Sequence, residues 1–226
     1  MPEPLTVEQV VNRVFRRKLT YLPKAALHDL AAAVDATERA GLPGQLVECG
    51  TALGGSAIVM AAAKDPARRL RLFDMFGTIP PPTEKDGEKV QQRYESIARG
   101  ESKGIRGDVY YGYREDLLQE VRRSFRRLGL PPRRNNVELV KGDFRDTLRI
   151  DHPVALAHLD GDWYESTLVC LERIVPHLVV GGRLVIDDYH FWEGCQQAVD
   201  EYFEGRDCFL REQHERLHIV RTAADG

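Results

Sequence analysis

The sequence predicts an open α/β fold: a seven-stranded, mostly parallel sheet with helices on both faces and an antiparallel C-terminal hairpin. Three observations carry this prediction. Short apolar runs alternate with helical patterns five times before two final strands. Nearly every apolar run stops at a carboxylate or a glycine-rich turn. The last two runs, "CFLREQ" and "RLHIVRTA", follow each other with no helix between them.

In chain order, residues 6–18 and 24–40 show helical periodicity, and "KAALHDLAAAVDATERA" is rich in strong helix formers. "GLPG" at 41–44 stops the second helix. "QLVECG" reads as a buried strand, "SAIVMAAAK" as a helix, and "RLRLFDMFG" as a second strand ending in Asp74. Residues 77–112 carry Pro80-Pro81-Pro82, many charges and room for one short helix near 86–99. A segment this long and irregular inside a compact domain is usually functional, and it reads as a lid. A helix over 113–129 follows, then strand "NVELVKGD", the turn "FRDTL" and strand "VALAHLD". In "YESTLVCLERIVPHL", Leu168, Leu171, Ile174, Val175 and Leu178 share a helical face, and Gly181-Gly182 should end that helix. Strand "RLVIDD", a helix near 193–204 and the hairpin complete one domain over 1–226.

Thirty-two basic and 35 acidic side chains leave a net charge of −3, which gives no reason to expect nucleic acid or a membrane surface as partner. The one local exception, "RRSFRRLGLPPRR" at 122–134, reads as a solvated helix face and loop or as an anionic contact. No run reaches 18 apolar residues, and the charged N-terminal stretch lacks the apolar core of a signal peptide. Cys49, Cys170, Cys195 and Cys208 are scattered, as expected of reduced thiols in a cytoplasmic protein.

Ligands of open α/β sheets bind beyond the carboxyl ends of the strands. Glu48, Asp74, Asp143, Asp160, Asp162, Asp187 and Asp188 all stand at such ends. The first turn, "VECGTALGGSA", has glycines that let a ligand approach the backbone and places Ser56 at a helix start. It is neither G-x-G-x-x-G nor a P-loop. Asp74 holds the position that hydrogen-bonds ribose hydroxyls in α/β cofactor sites. Asp143 can accept from an adenine amino group or simply belong to a turn. Asp162 and Glu165 have capping-box spacing, which is a purely structural reading. That reading does not cover Asp160, a carboxylate closing a buried strand, with Asp187-Asp188 one strand later. Such a cluster repels itself unless it is protonated or bridged by a cation, and its all-oxygen ligand set favours Mg²⁺ or another hard ion. His158 reads as a core histidine, and His190 as a candidate catalytic group beside the second acid pair or a bystander.

Together "LVECGTALGGSA", "LFDMF", "HLDGDWYEST" and "LVVGGRLVIDDYHFW" resemble the macrocin O-methyltransferase family over roughly residues 24–204. The resemblance implies a class I methyltransferase Rossmann-like fold. It also implies S-adenosylmethionine- and Mg²⁺-dependent methylation of a sugar hydroxyl on a glycosylated small molecule. Glu48, Gly50, Thr51, Ser56, Asp74, Asp143, Phe144 and Asp160 would then line the cofactor site. Asp160, Asp187 and Asp188 would hold the metal, and Asp162 would act as base, with His190 a second catalytic candidate. Thr51-Ala52-Leu53 departs from relatives that carry a bulkier aromatic–basic pair. A catechol-type small-phenol O-methyltransferase and a non-catalytic nucleotide-binding protein are the alternatives. A homodimer is the default assembly.

Overall fold

The computed structural model describes residues 4–224, so the outer ends of the expected domain, 1–3 and 225–226, lie outside the described residues. Helices α1 (Val7–Arg16) and α2 (Lys24–Arg39) precede a sheet of seven strands in the order β3-β2-β1-β4-β5-β7-β6. The strands are β1 (Gln45–Cys49), β2 (Leu70–Asp74), β3 (Val137–Lys141), β4 (Val154–Leu159), β5 (Leu178–Ile186), β6 (Phe209–Gln213) and β7 (Leu217–Arg221). The first five are parallel; β7 runs antiparallel to β5 and β6. The strand order reverses between β1 and β4, which is where such sheets open a ligand crevice. The expected sheet, with its closing hairpin, is the one observed.

Burial follows from parallel geometry. All residues of β1, β2 and β4 are buried, because helices cover both faces. One core packs α1, α2, α3 (Gly55–Ala63) and α5 (Leu117–Arg127) against the sheet. The other packs α7 (Tyr164–Ile174) and α8 (Glu193–Phe203) on the opposite face. Residues 77–112 hold α4 (Gly87–Ala98) and short 3-10 turns, as the composition predicts. A four-residue helix, α6 (Phe144–Thr147), forms where "FRDTL" stands. Arg123, Arg126 and Arg127 of the basic stretch are exposed on α5, the solvated face. The cysteines are free, three of them buried. Among the described residues no helix is long and apolar enough to cross a membrane.

Two expectations need correction. Gly181-Gly182 do not end α7. That helix stops at Ile174, and the glycines lie inside β5, where Val154 pairs with Leu178 but Leu156 with Arg183. The residues between are a bulge, and Gly181 at φ 83° takes its left-handed position. The buried stripe of α7 is also rotated: Tyr164, Thr167, Cys170, Leu171 and Ile174 are buried, whereas Leu168 is only half-buried. The small Thr and Cys lie against the sheet there, a choice that a purely apolar periodicity does not register.

His218 on β7 lies beside Asp29 of α2 (3.1 Å) and stacks on His214. Arg183 stands 2.9 Å from Nδ1 of His218. A guanidinium only donates, so Nδ1 accepts and Nε2 keeps its proton. That tautomer directs the Nε2 proton towards the Asp29 carboxylate. Burial first, then Arg183 and His214 against the opposing Asp29, pull His218 down to about 4. The unfolded chain therefore binds this proton first, near the ordinary histidine value of about 6.5. Stability should fall as pH drops from about 6.5 towards about 4. Denaturant titrations across that window should show the loss in the wild type and a flatter limb in His218→Gln.

Candidate active site

Backbone pairing sets the site's floor. Asp160 N–H donates to Cys49 O (2.8 Å), and Asp187 N–H donates to Leu159 O (2.9 Å), so β1, β4 and β5 end at one level. Gly50, at φ 90°, follows β1. A Cβ at Gly50 would sit 1.7 Å from Asp160 O, so only glycine lets the two strand ends close. The turn after it is held by Asp74, whose Oδ2 accepts from the N–H groups of Thr51 and Ala52 (both 2.8 Å) and whose Oδ1 accepts from Phe76 N–H. Burial nonetheless keeps the Asp74 carboxyl above the usual range. Three non-glycine residues bordering this floor, Ala52, Phe76 and Asp162, adopt positive φ (44°, 45° and 57°). Strained backbone of this kind gathers at functional sites.

Two adjoining cavities open above the floor and share Gly50, Asp74, Asp160 and Asp162. Asp143 and Phe144 wall the first, and Asp187, Asp188, Arg93 and Trp192 wall the second. Asp162 therefore stands where the two meet. Its backbone N–H donates to Asp188 Oδ2 (3.0 Å), and its Oδ1 accepts from the Trp192 indole N–H (3.2 Å). Burial raises its carboxyl to about 6 against the lowering pull of Arg93 and that indole.

Asp160, Asp187 and Asp188 each present one oxygen within 4.8 Å of the others. Burial and the neighbouring acids hold Asp160 and Asp188 well above the carboxylate range. Asp187 is different. Despite burial it is held low, because His158 and Arg216 stand beside it. Arg216 Nε donates to Asp187 Oδ1 at 2.6 Å, and His158 Nε2 lies 3.9 Å from the same oxygen. The acid cluster is thus short of positive charge at two of its three members. Its all-oxygen donor set fits a hard divalent ion such as Mg²⁺.

Several sequence candidates are buried, already paired or turned outward. Glu48 is fully buried under the floor, bound to His158 Nδ1 (3.1 Å), and walls neither cavity. The β1 pleat turns it into the sheet beside His158 of β4, its register partner. Burial opposes charge on His158, but Asp187 and Glu48 outweigh it and raise the imidazole to about 9. Thr51 and Ser56 are likewise buried behind the turn, contributing backbone and packing. Asp143 caps α6, and Arg145 already binds both of its oxygens (2.8 and 3.0 Å), which holds it below the usual range. His190 is exposed and meets Gln213 (2.9 Å); the turn closed by Phe191 and Trp192 N–H on Asp188 O carries those two aromatics into the cleft wall instead. The Asp162–Glu165 capping box does not form: Trp163 is the N-cap, and Glu165 pairs with Arg145.

The cap of α7 comes from a residue the sequence reading missed. Asp86 in the 77–112 segment is buried, accepts from Tyr164 N–H (2.6 Å) and binds Thr83 N–H (2.7 Å). Trp163 Nε1 donates to Pro80 O (3.0 Å), a second tie between that segment and the acid loop. Arg216 was also missed, though the hairpin held its signal: Ile186 pairs with Leu217, so the residue before Leu217 falls beside Asp187. Asp86→Ala should lose about 0.5–2 kcal/mol of stability, the usual range for a lost helix cap. Urea denaturation reads this loss, and a change under about 0.3 kcal/mol would show that Asp86 does not anchor α7.

The comparisons agree with this architecture. The family model for macrocin O-methyltransferase (TylF) matches residues 16–209. An 8-demethyl-8-(2,3-dimethoxy-alpha-L-rhamnosyl)-tetracenomycin-C 4'-O-methyltransferase from Streptomyces olivaceus is 35% identical over 182 residues, 78% of this chain and 64% of that protein. A demethyldecarbamoylnovobiocin O-methyltransferase from Streptomyces niveus is 34% identical over 168 residues, 71% of this chain and 58% of that protein. The chain therefore spans about six-tenths of the length of these two relatives. Among solved structures, the O-methyltransferase NovP superposes with a TM-score of 0.72 at 29% identity, covering 90% of this chain and 82% of that one. The sheet order, the strand-end acids and a family match running from the end of α1 to the start of β6 lead to one conclusion: the chain belongs to the macrocin O-methyltransferase family.

Proposed function

We propose that the protein is an S-adenosylmethionine- and Mg²⁺-dependent O-methyltransferase that methylates a sugar hydroxyl on a glycosylated natural product. The observation that carries this reading is the position of Asp162, a half-buried carboxylate between two cavities and beside three clustered acids. The relatives support the acceptor class: one is named for a rhamnosyl-tetracenomycin and one for a demethyldecarbamoylnovobiocin. The cofactor belongs in the cavity walled by Asp143 and Phe144, and the acceptor in the one walled by Trp192 and Arg93. Asp160, Asp187 and Asp188 would hold the metal. The lid reading of residues 77–112 goes with this arrangement, since Ile79 and Tyr111 wall both cavities and Tyr110 walls the acceptor side. A cytoplasmic homodimer is the expected setting.

When bound, S-adenosylmethionine supplies an electrophilic methyl group, and Mg²⁺ supplies positive charge that makes a hydroxyl more acidic. The chain does the rest. Asp162 accepts the hydroxyl proton at Oδ1 or Oδ2. The Trp192 indole N–H fixes the rotamer of Asp162, and Asp188 fixes its backbone. The aromatic walls exclude water, and holding both reactants in line lowers the barrier through orientation.

Asp162→Asn should reduce turnover about 10²–10⁴-fold, the usual worth of a general base, while calorimetry still shows S-adenosylmethionine binding. Near-normal turnover would remove Asp162 as base and favour a phenolic acceptor, which is acidic enough to need less help. Because the base works deprotonated, kcat/KM should fall as pH drops through the Asp162 value, which is about 6 in the metal-free chain and lower once a cation neutralises the neighbouring acids. Titrating S-adenosylmethionine, NAD and ATP separates the enzyme from a nucleotide-binding protein: no binding of the first would end this reading. Activity that survives EDTA would remove the metal role of the three acids.

A further inference from the structure

The acid cluster already contains a cation. Arg216 stands one residue before β7, where the β5–β7 register sets it beside Asp187. Its side chain is only 10% exposed, and Nε holds Asp187 Oδ1 at 2.6 Å. Nη1 donates to Glu215 O (2.9 Å), and the Phe191 ring lies over the guanidinium, 5.1 Å from its centroid. The group is therefore fixed in place on both sides. It also walls the same cavity as Asp187 and Asp188. Asp160 and Asp188 have no ion-pair partner within 4.0 Å among the described residues, so the compensation is one-sided. A guanidinium cannot lose its proton to make way for another cation. Whatever divalent ion enters the cluster must share Asp187 with a permanent positive charge.

Resting on the metal reading given above, we propose that Arg216 is a positioning and charge-setting residue for the metal site. It orients Asp187 through Oδ1 and, as a resident counter-cation, holds down the cluster's affinity for a divalent ion. The ion is then an exchangeable component that becomes firmly held only when acceptor oxygens join the carboxylates. A helper that merely supported the ligand would strengthen metal binding, as partners behind metal ligands commonly do. A fixed cation at this distance does the opposite, because like charges in a partly buried site repel strongly.

The test is Mn²⁺ binding to the full chain without acceptor, read from the free-ion paramagnetic resonance signal. Arg216→Gln should bind Mn²⁺ about tenfold or more tightly than wild type, and Arg216→Lys, which keeps the charge, should stay within about threefold. Phe191→Ala carries little folding risk on an exposed ring and lets water screen the guanidinium; it should tighten Mn²⁺ binding about twofold. Adding Asp188→Asn to Arg216→Gln should remove the gain, which places the ion in this cluster. Equal or weaker Mn²⁺ binding by a folded Arg216→Gln would overturn the proposal, and so would a gain that survives Asp188→Asn. If Arg216→Gln does not fold, an unchanged or weakened Phe191→Ala overturns it. Absence of Mn²⁺ binding in every variant would overturn it together with the metal assignment, whereas S-adenosylmethionine calorimetry on the same samples judges the methyltransferase reading separately.

Discussion

The site depends on the close approach of two strand ends. Gly50 N–H donates to Phe73 O on one side, and Asp160 N–H donates to Cys49 O on the other. These bonds bring β2, β1 and β4 to a common edge, and Asp187 N–H extends the edge to β5. A single Cβ at Gly50 would break the contact. The candidate site hangs on this edge. The turn held by Asp74, the strained Asp162 and the three clustered acids are positioned by backbone ladders, and ladders are the most rigid parts of a sheet.

Charge is then sorted by depth. Beneath the edge, Glu48 and His158 compensate each other, and His158 reaches up to Asp187. At the edge Arg216 completes the neutralisation of Asp187 from the side. Asp160 and Asp188 receive no such help, and Asp162 is balanced only by Arg93 at longer range and by an indole N–H. One cluster thus holds acids in three different states, set by what stands behind each of them. This is the arrangement that lets neighbouring carboxylates do different work.

The sheet was legible because period and punctuation agree with it along the chain: short apolar runs, most of them stopping at a carboxylate or glycine, with helices between. The strand-end acids were legible for the same reason, since position along a strand is a one-dimensional property. The misses share a cause. Asp86 meets Tyr164 across 78 residues, and Arg216 meets Asp187 across 29. Local spacing suggested a capping box at Asp162–Glu165, but a remote carboxylate won, which freed Asp162 to face the cleft. His190 looked catalytic by adjacency to Asp187-Asp188, yet the turn that follows Asp188 sends it outward. Glu48 and Ser56 belong to a recognisable motif, but their burial shows that motif membership includes residues that support the floor from below. Gly181-Gly182 read as a stop and proved to be a bulge, because β4 and β5 differ in length between their paired ends.

The Asp86 anchor divides the segment over the cleft into two parts with different freedom. Up to Asp86 it is tied to the start of α7 by Pro80 and by Asp86, which Thr83 braces within the segment. Beyond it, α4 and residues 99–112 are joined to the acid loop by none of these bonds. The second part still reaches the site through side chains, since Arg93 of α4 and Tyr110 wall the cavity beside Asp162 and Arg93 lowers that carboxyl. The segment thus joins a half fixed by backbone and cap bonds to a half that meets the acid loop only through side chains, and a change in that second half is felt at Asp162 as a change of charge rather than of backbone position.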